Sequence, residues 1–555
     1  MIDCNIATVL HHTAEAQPDQ VGLVALEDGQ WRQWSFAQLR NNCDGFAAAL
    51  HAEGIQRGDR VMLMVRPSMA FICLTFALFQ LGAVIILIDP GMGYQNLLRC
   101  IGSVRPDILV GIPQAIAFSR IFRQPFATVR KRITIGRAWW LPGKRLQPQR
   151  AGVGVQFRYQ AAADDPAAII FTTGSTGPPK GVAYTHGIFH TQLRMIRDYY
   201  GIGPSDVDQP GFPLFGLFAA ALGAKAVIPD MDPTRPARVN PEKFVHTLLA
   251  HQVSYSFGSP AIWNVVSRYC LDRKIVLPVR TVLMAGAPVP GYLVDRVKRI
   301  LPEAARIFTP YGATESLPVA SIEGREIVEV TWPLTRTGHG ACVGRALPGM
   351  EIRIIEAVEG EIASWREVRE LGTGMIGEIV VRGPVVTRFY ADNEPETRLA
   401  KIADIAGIAN HGGFWHRMGD MGYLDVDGRL WFCGRKAHRV PTSRAMLYTI
   451  QCEAIFNEHP LVRRSALIGL GDCPEKKTPV IVVEPEGLVR DQERLFAELR
   501  DLARANPLTE QIEHFLVHRS FPVDIRHNAK IFRERLADWA AGRVQLSAGD
   551  KGRPA

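Results

Sequence analysis

Residues 70–88 read AFICLTFALFQLGAVIILI, nineteen positions without a charge. A run of ~18 apolar residues is long enough to raise the question of a membrane span. Gly82 divides this one. Its first part carries straight-chain and aromatic side chains suited to a helix, its second is AVIILI, rich in β-branched residues, and Asp89-Pro90 closes it. The run therefore reads as a buried helix followed by a buried parallel strand rather than as one membrane helix. A strand apolar on both faces needs helices on both sides, so the surrounding chain should alternate the two elements. It does: residues 7–16 read as helical, 34–55 carry a helix after a short strand, and 59–65 read as another strand.

At 555 residues the chain exceeds what one core can serve, so more than one domain is expected. Residues 216–226 read as a Gly/Ala-rich helix, and 338–349 as a loop. Residues 351–355 and 377–382 read as antiparallel strands of a smaller β region, and Asp427-Gly428 marks a hairpin within 415–430. Strands near 465–469 and 478–484, with helices near 492–504 and 529–539, make a short α+β stretch before a polar end. The expected fold is α/β: mostly parallel sheets with helices plus a β region, then a small α+β part.

The strand at 167–171 runs into 171–181, FTTGSTGPPKG. A Gly-rich turn with hydroxyls offers backbone N–H groups to an anion, and Lys180 adds a point charge. It is not a Walker A loop, because Pro179 precedes Lys180 and Gly181 follows where Ser or Thr is required. Nine cysteines contain no CxxC pair, which implies no zinc site and suits a reducing, cytoplasmic setting. The N-terminus lacks a basic segment followed by a long apolar one, so no secretory signal is expected. Between residues 108 and 163 there is no Asp or Glu. Ten basic residues fall there: Arg120, Arg123, Arg130, Lys131, Arg132, Arg137, Lys144, Arg145, Arg150 and Arg158. This is either a solvated basic surface or a docking face for an acidic partner or anionic membrane; no nucleic-acid motif accompanies it.

The loop matches [ST]-[ST]-G-[ST]-[ST]-G-x-P-K-G and resembles the phosphate loop of the adenylate-forming (AMP-binding) enzymes. AGAP (285–288), YGATE (311–315), GD (419–420), GR (434–435) and RHNAK (526–530) follow in that superfamily's order, over nearly the whole chain. The resemblance implies a large domain, 1–434, a small mobile C-terminal domain, 435–540, and a polar tail, 541–555. It also implies that ATP and Mg²⁺ are used. Thr172, Thr173, Gly174, Ser175, Thr176, Gly177 and Lys180 would hold the phosphates. Gly286, Ala287, Pro288, Tyr311 and Gly312 would line the adenine. Thr314 would touch phosphate and Glu315 would hold Mg²⁺. Asp420 would accept from the ribose hydroxyls with help from Arg435, and Lys530 would bridge α-phosphate and substrate carboxylate. His186 and His339 are the histidines to weigh as bases, with a structural role the simpler reading for each.

Within the superfamily, GHGACVGRALPGMEIRI (338–354), HRMGDMGYLD (416–425) and IRHNAKIFRERLADW (525–539) resemble the olefin β-lactone synthetases. That likeness implies activation of a long-chain 2-alkyl-3-hydroxy fatty acid, then closure by its own hydroxyl to a β-lactone. It also suggests neighbours in the pathway, a dehydrogenase and a β-lactone decarboxylase, and apolar stretches at 212–222 and 254–263 suited to alkyl chains. Pro441, Arg444 and Thr449 stand where CoA ligases carry lysine, glycine and proline near the pantetheine path, Ala529 replaces the glycine before the lysine, and Gly216 replaces a histidine. Formation of a CoA thioester is therefore not expected. A long-chain acyl-CoA or acyl-carrier-protein ligase and a non-catalytic nucleotide-binding scaffold remain the alternatives.

Overall fold

The nineteen-residue run divides where its composition changes. Met69–Gln80 is a helix, capped where the Phe71 N–H donates to Ser68 Oγ at 3.2 Å, and it is buried on all sides from Phe71 to Gln80. Such a helix belongs inside a core. The chain turns through Gly82 and enters the strand Val84–Leu87. The computed structural model describes residues 3–136, 145–149, 157–171, 178–212, 214–404, 413–524 and 531–544. No helix among them is long and apolar enough to cross a membrane.

Val84–Leu87 pairs in parallel with Arg60–Met64 and with Pro166–Phe171, inside a six-stranded sheet that continues through Ile108–Gly111 to Lys131–Thr134. At the other edge Gly181–Thr185 runs antiparallel to Pro166–Phe171, so the glycine-rich segment joins two neighbouring strands. A second, larger sheet has a parallel centre, Tyr255–Gly258, Thr281–Met284 and Arg306–Ala313. Gly312 then lets the chain reverse: a Cβ there would sit 2.4 Å from the Ser316 carbonyl oxygen. The returning strand, Ser316–Glu323, pairs antiparallel with Arg306–Ala313.

The smaller β region is not separate from this sheet. Ala341–Ala346, Leu430–Arg435, Phe414–Leu424, Gly377–Arg382 and Glu351–Ile355 continue it, strand beside strand, all antiparallel. Two expectations fail. Residues 216–226 do not form one helix: Phe215–Ala221 stops, Gly223 takes a φ of 84°, and Lys225–Val227 is a strand. The stretch read as a loop at 338–349 contains the strand Ala341–Ala346, because edges on both sides offer it ladder partners.

After Arg435 a three-stranded sheet forms from Val462–Leu470, Thr478–Pro485 and His514–Val517. Successive strand residues serve opposite faces. Leu467, Ile481 and Val483 pack under the helices Thr449–Phe456 and Gln492–Arg504, while Ala466, Ile468, Val480 and Val482 pack under Arg533–Ala540. This smaller C-terminal region meets the rest through Arg336, whose Nε donates to Glu458 Oε2 at 2.7 Å, and through Asn506 Nδ2, which donates to the Thr337 carbonyl at 3.3 Å.

Candidate active site

A cavity of about 1020 Å³ opens beyond the carboxyl ends of the three parallel strands, where an open α/β sheet offers its crevice. The smaller region forms its far wall through Lys436, His438, Thr449, Glu453, Ile531 and Arg533.

Its polar end is built on two strand turns. Arg306–Ala313 delivers Tyr311, whose hydroxyl donates to Asp420 Oδ2 at 2.6 Å. Asp420 lies opposite Arg435 in the antiparallel register, so the ladder brings the pair together, with Arg435 Nη1 3.0 Å from Oδ1. Asp420 raises the pKa of Arg435, and burial, reinforced by Asp420, pushes the Tyr311 hydroxyl well up. An ionised carboxylate has roughly four lone-pair sites. Asp420 thus serves several donors at once at this end of the cavity.

Thr314 and Glu315 form the turn itself. Tyr184 OH donates to the Thr314 carbonyl at 2.6 Å, and the Glu315 carbonyl accepts from Thr387 N at 2.9 Å and Thr387 Oγ1 at 3.1 Å. The Glu315 side chain faces the cavity and accepts from Tyr390 OH at 2.7 Å. Behind it Lys401 donates to the Thr387 carbonyl; burial pushes its ammonium down to about 7 while the Glu315 charge opposes the shift. His416 lines the cavity with Nδ1 3.2 Å from the Ala400 carbonyl, and burial, then the Lys401 charge, hold its pKa well below the ordinary value.

Lys180 pairs with Glu396 at 2.5 Å and lies 5.2 Å from the centre of the Tyr390 ring. Gly286, Ala287 and Pro288 line the opposite wall; Gly286 sits at a φ of 102°, which exposes the backbone after Thr281–Met284. Gly312 also lines the cavity. Thr172, Thr173, Gly174, Ser175, Thr176 and Gly177 lie outside the described residues, as does Lys530. Their neighbours Phe171, Pro178 and Ile531 are on the cavity wall.

The other end is apolar. Phe215 and Phe257 stack with centroids 4.0 Å apart, and Phe212, Phe218, Ile262 and Leu283 extend the lining. The two stretches expected to suit alkyl chains thus meet here. His186 and His339 do not. His186 is fully buried between Phe79 and Tyr159, neither ring nitrogen has a hydrogen-bond partner among the described residues, and burial pushes its pKa down to about 4. His339 is exposed and directs Nδ1 at the Leu334 carbonyl, 3.0 Å away.

Sequence reasoning missed Tyr184, Tyr390, Glu396, Lys401 and His416. Only His416 lay in a segment already singled out, four residues before Asp420. The departures from the CoA ligases form a compact turn. Val440–Pro441 pairs with Met446–Leu447, and Thr442 Oγ1 accepts from the backbone N–H groups of Arg444, at 3.2 Å, and Ala445, at 3.0 Å. Thr449 opens its helix against Gly434, where a Cβ would lie 2.3 Å from Thr449 Oγ1.

The description "AMP-binding enzyme" fits residues 10–391. An olefin beta-lactone synthetase of Xanthomonas campestris pv. campestris is 45% identical over 97% of this chain and 98% of its own length. One from Stenotrophomonas maltophilia is 41% identical over 98% and 99%. Among solved structures, the amide bond synthetase McbA from Marinactinospora thermotolerans superposes with a TM-score of 0.78 at 22% identity, covering 96% of this chain and 99% of that one, a likeness of fold.

Proposed function

The chain belongs to the AMP-binding enzymes, in the branch of the olefin beta-lactone synthetases, and on that premise we propose that it makes a β-lactone from a long-chain 2-alkyl-3-hydroxy acid at the expense of ATP. A carboxylate cannot acylate its own hydroxyl, because oxide would have to leave. Attack of one carboxylate oxygen on the α-phosphorus expels pyrophosphate and forms an acyl-adenylate. The 3-hydroxyl then attacks the carbonyl, its proton is lost, and AMP departs with the oxygen that attacked phosphorus.

In this reading Asp420 and Arg435 hold the ribose. Gly286, Ala287, Pro288, Tyr311 and Gly312 enclose the adenine, and the loop 172–180 with Thr314 receives the phosphates. Lys530 bridges carboxylate and α-phosphate as charge develops there. Glu315 suits Mg²⁺: it is a carboxylate on the cavity wall, and no group of three or more His, Cys, Asp or Glu able to cage a metal occurs among the described residues. Mg²⁺ usually keeps several waters and binds through one or two carboxylates plus substrate phosphates; when bound it would neutralise phosphate charge. The division at 434/435 makes residues 435–540 a small domain that turns about Arg435 and Lys436. A dehydrogenase that supplies the 3-hydroxyl and a decarboxylase that consumes the lactone are its partners in sequence, in a cytoplasmic setting.

The observation that carries the reading is that one cavity joins the polar end around Asp420 and Glu315 to an apolar end on stacked Phe215 and Phe257. It is tested with the 2-alkyl acid that lacks only the 3-hydroxyl. That acid should exchange pyrophosphate into ATP yet release no lactone, whereas the hydroxy acid turns over without CoA. Turnover of either acid only when CoA is present, with a thioester as product, would replace this reading with the acyl-CoA ligase.

A further inference from the structure

The helix Pro113–Ile121 ends in a turn that reads Arg120-Ile121-Phe122-Arg123, and all four residues are exposed. Ile121 is 73% exposed and Phe122 39%. They are not isolated. The Phe122 ring lies 4.7 Å from Phe118, and Phe118 lies 6.0 Å from Tyr94, which is 73% exposed at the start of the helix Tyr94–Val104. Both helices pack on one face of the six-stranded sheet, through Leu97, Ile101 and Ile116, with Phe118 half-buried against that core. The ridge is therefore mounted on a rigid layer.

Charge is distributed to match. Within the basic stretch, Arg130 pairs with Asp59 at 2.6 Å and Lys131 with Glu53 at 2.9 Å, while Arg132 turns inward, its Nε donating to Ser119 Oγ at 3.0 Å. Their charge is mostly answered inside the protein. Arg120 and Arg123 flank the apolar tip with no acidic partner among the described residues; Arg99 on the neighbouring helix and Arg105 just past its end stand exposed in the same condition.

We propose that this ridge docks on an anionic lipid bilayer, with Ile121, Phe122 and Tyr94 entering the boundary between headgroups and acyl chains and Arg120 and Arg123 meeting lipid phosphates. The side chains stand out from a turn rather than line a groove, so they suit a deformable surface better than a protein partner, which would need a matching pocket. Aromatic side chains favour that boundary, and arginine keeps its head at phosphate level while its stem follows apolar surface. If the proposed function holds, docking also brings the cavity to where a two-chain acid resides; the docking itself does not depend on that reading.

The test is sedimentation of the full chain with vesicles of phosphatidylglycerol and phosphatidylcholine, and with vesicles of phosphatidylcholine alone. The chain should pellet with the mixed vesicles and far less with the neutral ones. Ile121→Ser/Phe122→Ser should lower partitioning about tenfold or more on the mixed vesicles, since buried apolar area sets the strength of interfacial binding. Arg120→Gln/Arg123→Gln should also lower it about tenfold there, and should remove most of the preference for anionic lipid. Pyrophosphate–ATP exchange with a soluble short-chain acid should be unchanged in both variants, which shows them folded and separates this question from the reaction. A wild-type chain that stays in the supernatant with both vesicles, or variants that pellet as it does, would overturn the proposal. So would a dimer that Ile121→Ser/Phe122→Ser converts to monomer with no vesicle binding at all, because the ridge would then be covered by a second copy.

Discussion

Glu378 is 3% exposed at its side chain and answers two cations: Arg417, 4% exposed, with Nη2 2.7 Å away, and Lys436, 12% exposed, with Nζ 3.1 Å away. Lys436 directly follows Arg435 at the proposed hinge, so this cluster ties the hinge to the main sheet. Two unit charges about 3 Å apart at an effective dielectric of ~20 attract by roughly 5 kcal/mol before desolvation is counted. Burial opposes that gain, and it pulls the Lys436 pKa below its ordinary value. The two sides of the cluster should therefore respond unequally. Glu378→Gln leaves two buried cations facing each other, a change that costs about 3–5 kcal/mol when a buried pair loses one partner. Lys436→Met leaves Arg417 with Nε and Nη2 on the two Glu378 oxygens, still balanced, and should cost no more than ~1 kcal/mol. The double variant should recover part of the Glu378→Gln loss. A single cation then remains, and it has the carbonyls of Val358, Gly360 and Leu399. Urea unfolding followed by tryptophan fluorescence, run as a double-mutant cycle, reads these differences. Equal losses for Lys436→Met and Glu378→Gln, or losses under ~0.5 kcal/mol for both, would show that Glu378 does not hold the two cations together in this way.

Lys530→Ala should slow adenylation ~10²–10³-fold, as loss of a preorganised transition-state donor does, with ATP binding little changed; pyrophosphate–ATP exchange beside equilibrium nucleotide binding checks both. Glu396→Gln should leave stability within ~1 kcal/mol, because its pair with Lys180 is about one-third exposed on both sides, but should alter the apparent KM for ATP by removing the carboxylate charge 2.5 Å from that lysine. His186 holds a pKa of about 4 in the fold against ~6.5 when free, so the unfolded chain takes the proton first as pH falls. Stability should drop by up to about 3 kcal/mol between pH 6.5 and 4, and His186→Phe should flatten that limb in urea titrations.

Much of the fold was legible because local composition and tertiary demand agreed. The run 70–88 changes from helix-forming to β-branched residues at a glycine, and the structure breaks there. Asp427-Gly428 marked its hairpin, and the last strands and the helix Gln492–Arg504 fell where periodicity put them. Where residues were misread, pairing overrode propensity. Ala341–Ala346 is a strand despite its glycines because two strands flank it. Gly223 was a visible stop signal inside 216–226 that the run of alanines obscured. The site divides in the same way. Tyr311, Asp420 and Arg435 sit in motifs and meet as a pair of strands dictates. Tyr390 and Glu396 reach Glu315 and Lys180 across 75 and more residues of chain, with no local pattern to announce them.

The proposed reaction requires that the carboxylate, not the hydroxyl, be the group adenylated. A substrate labelled with ¹⁸O in both carboxylate oxygens decides it by mass spectrometry of the products. Carboxylate adenylation puts one labelled oxygen in AMP and one in the lactone carbonyl, with the unlabelled 3-hydroxyl oxygen in the ring. Both labels retained in the lactone and none in AMP would mean that the hydroxyl had been activated and displaced, and would contradict it.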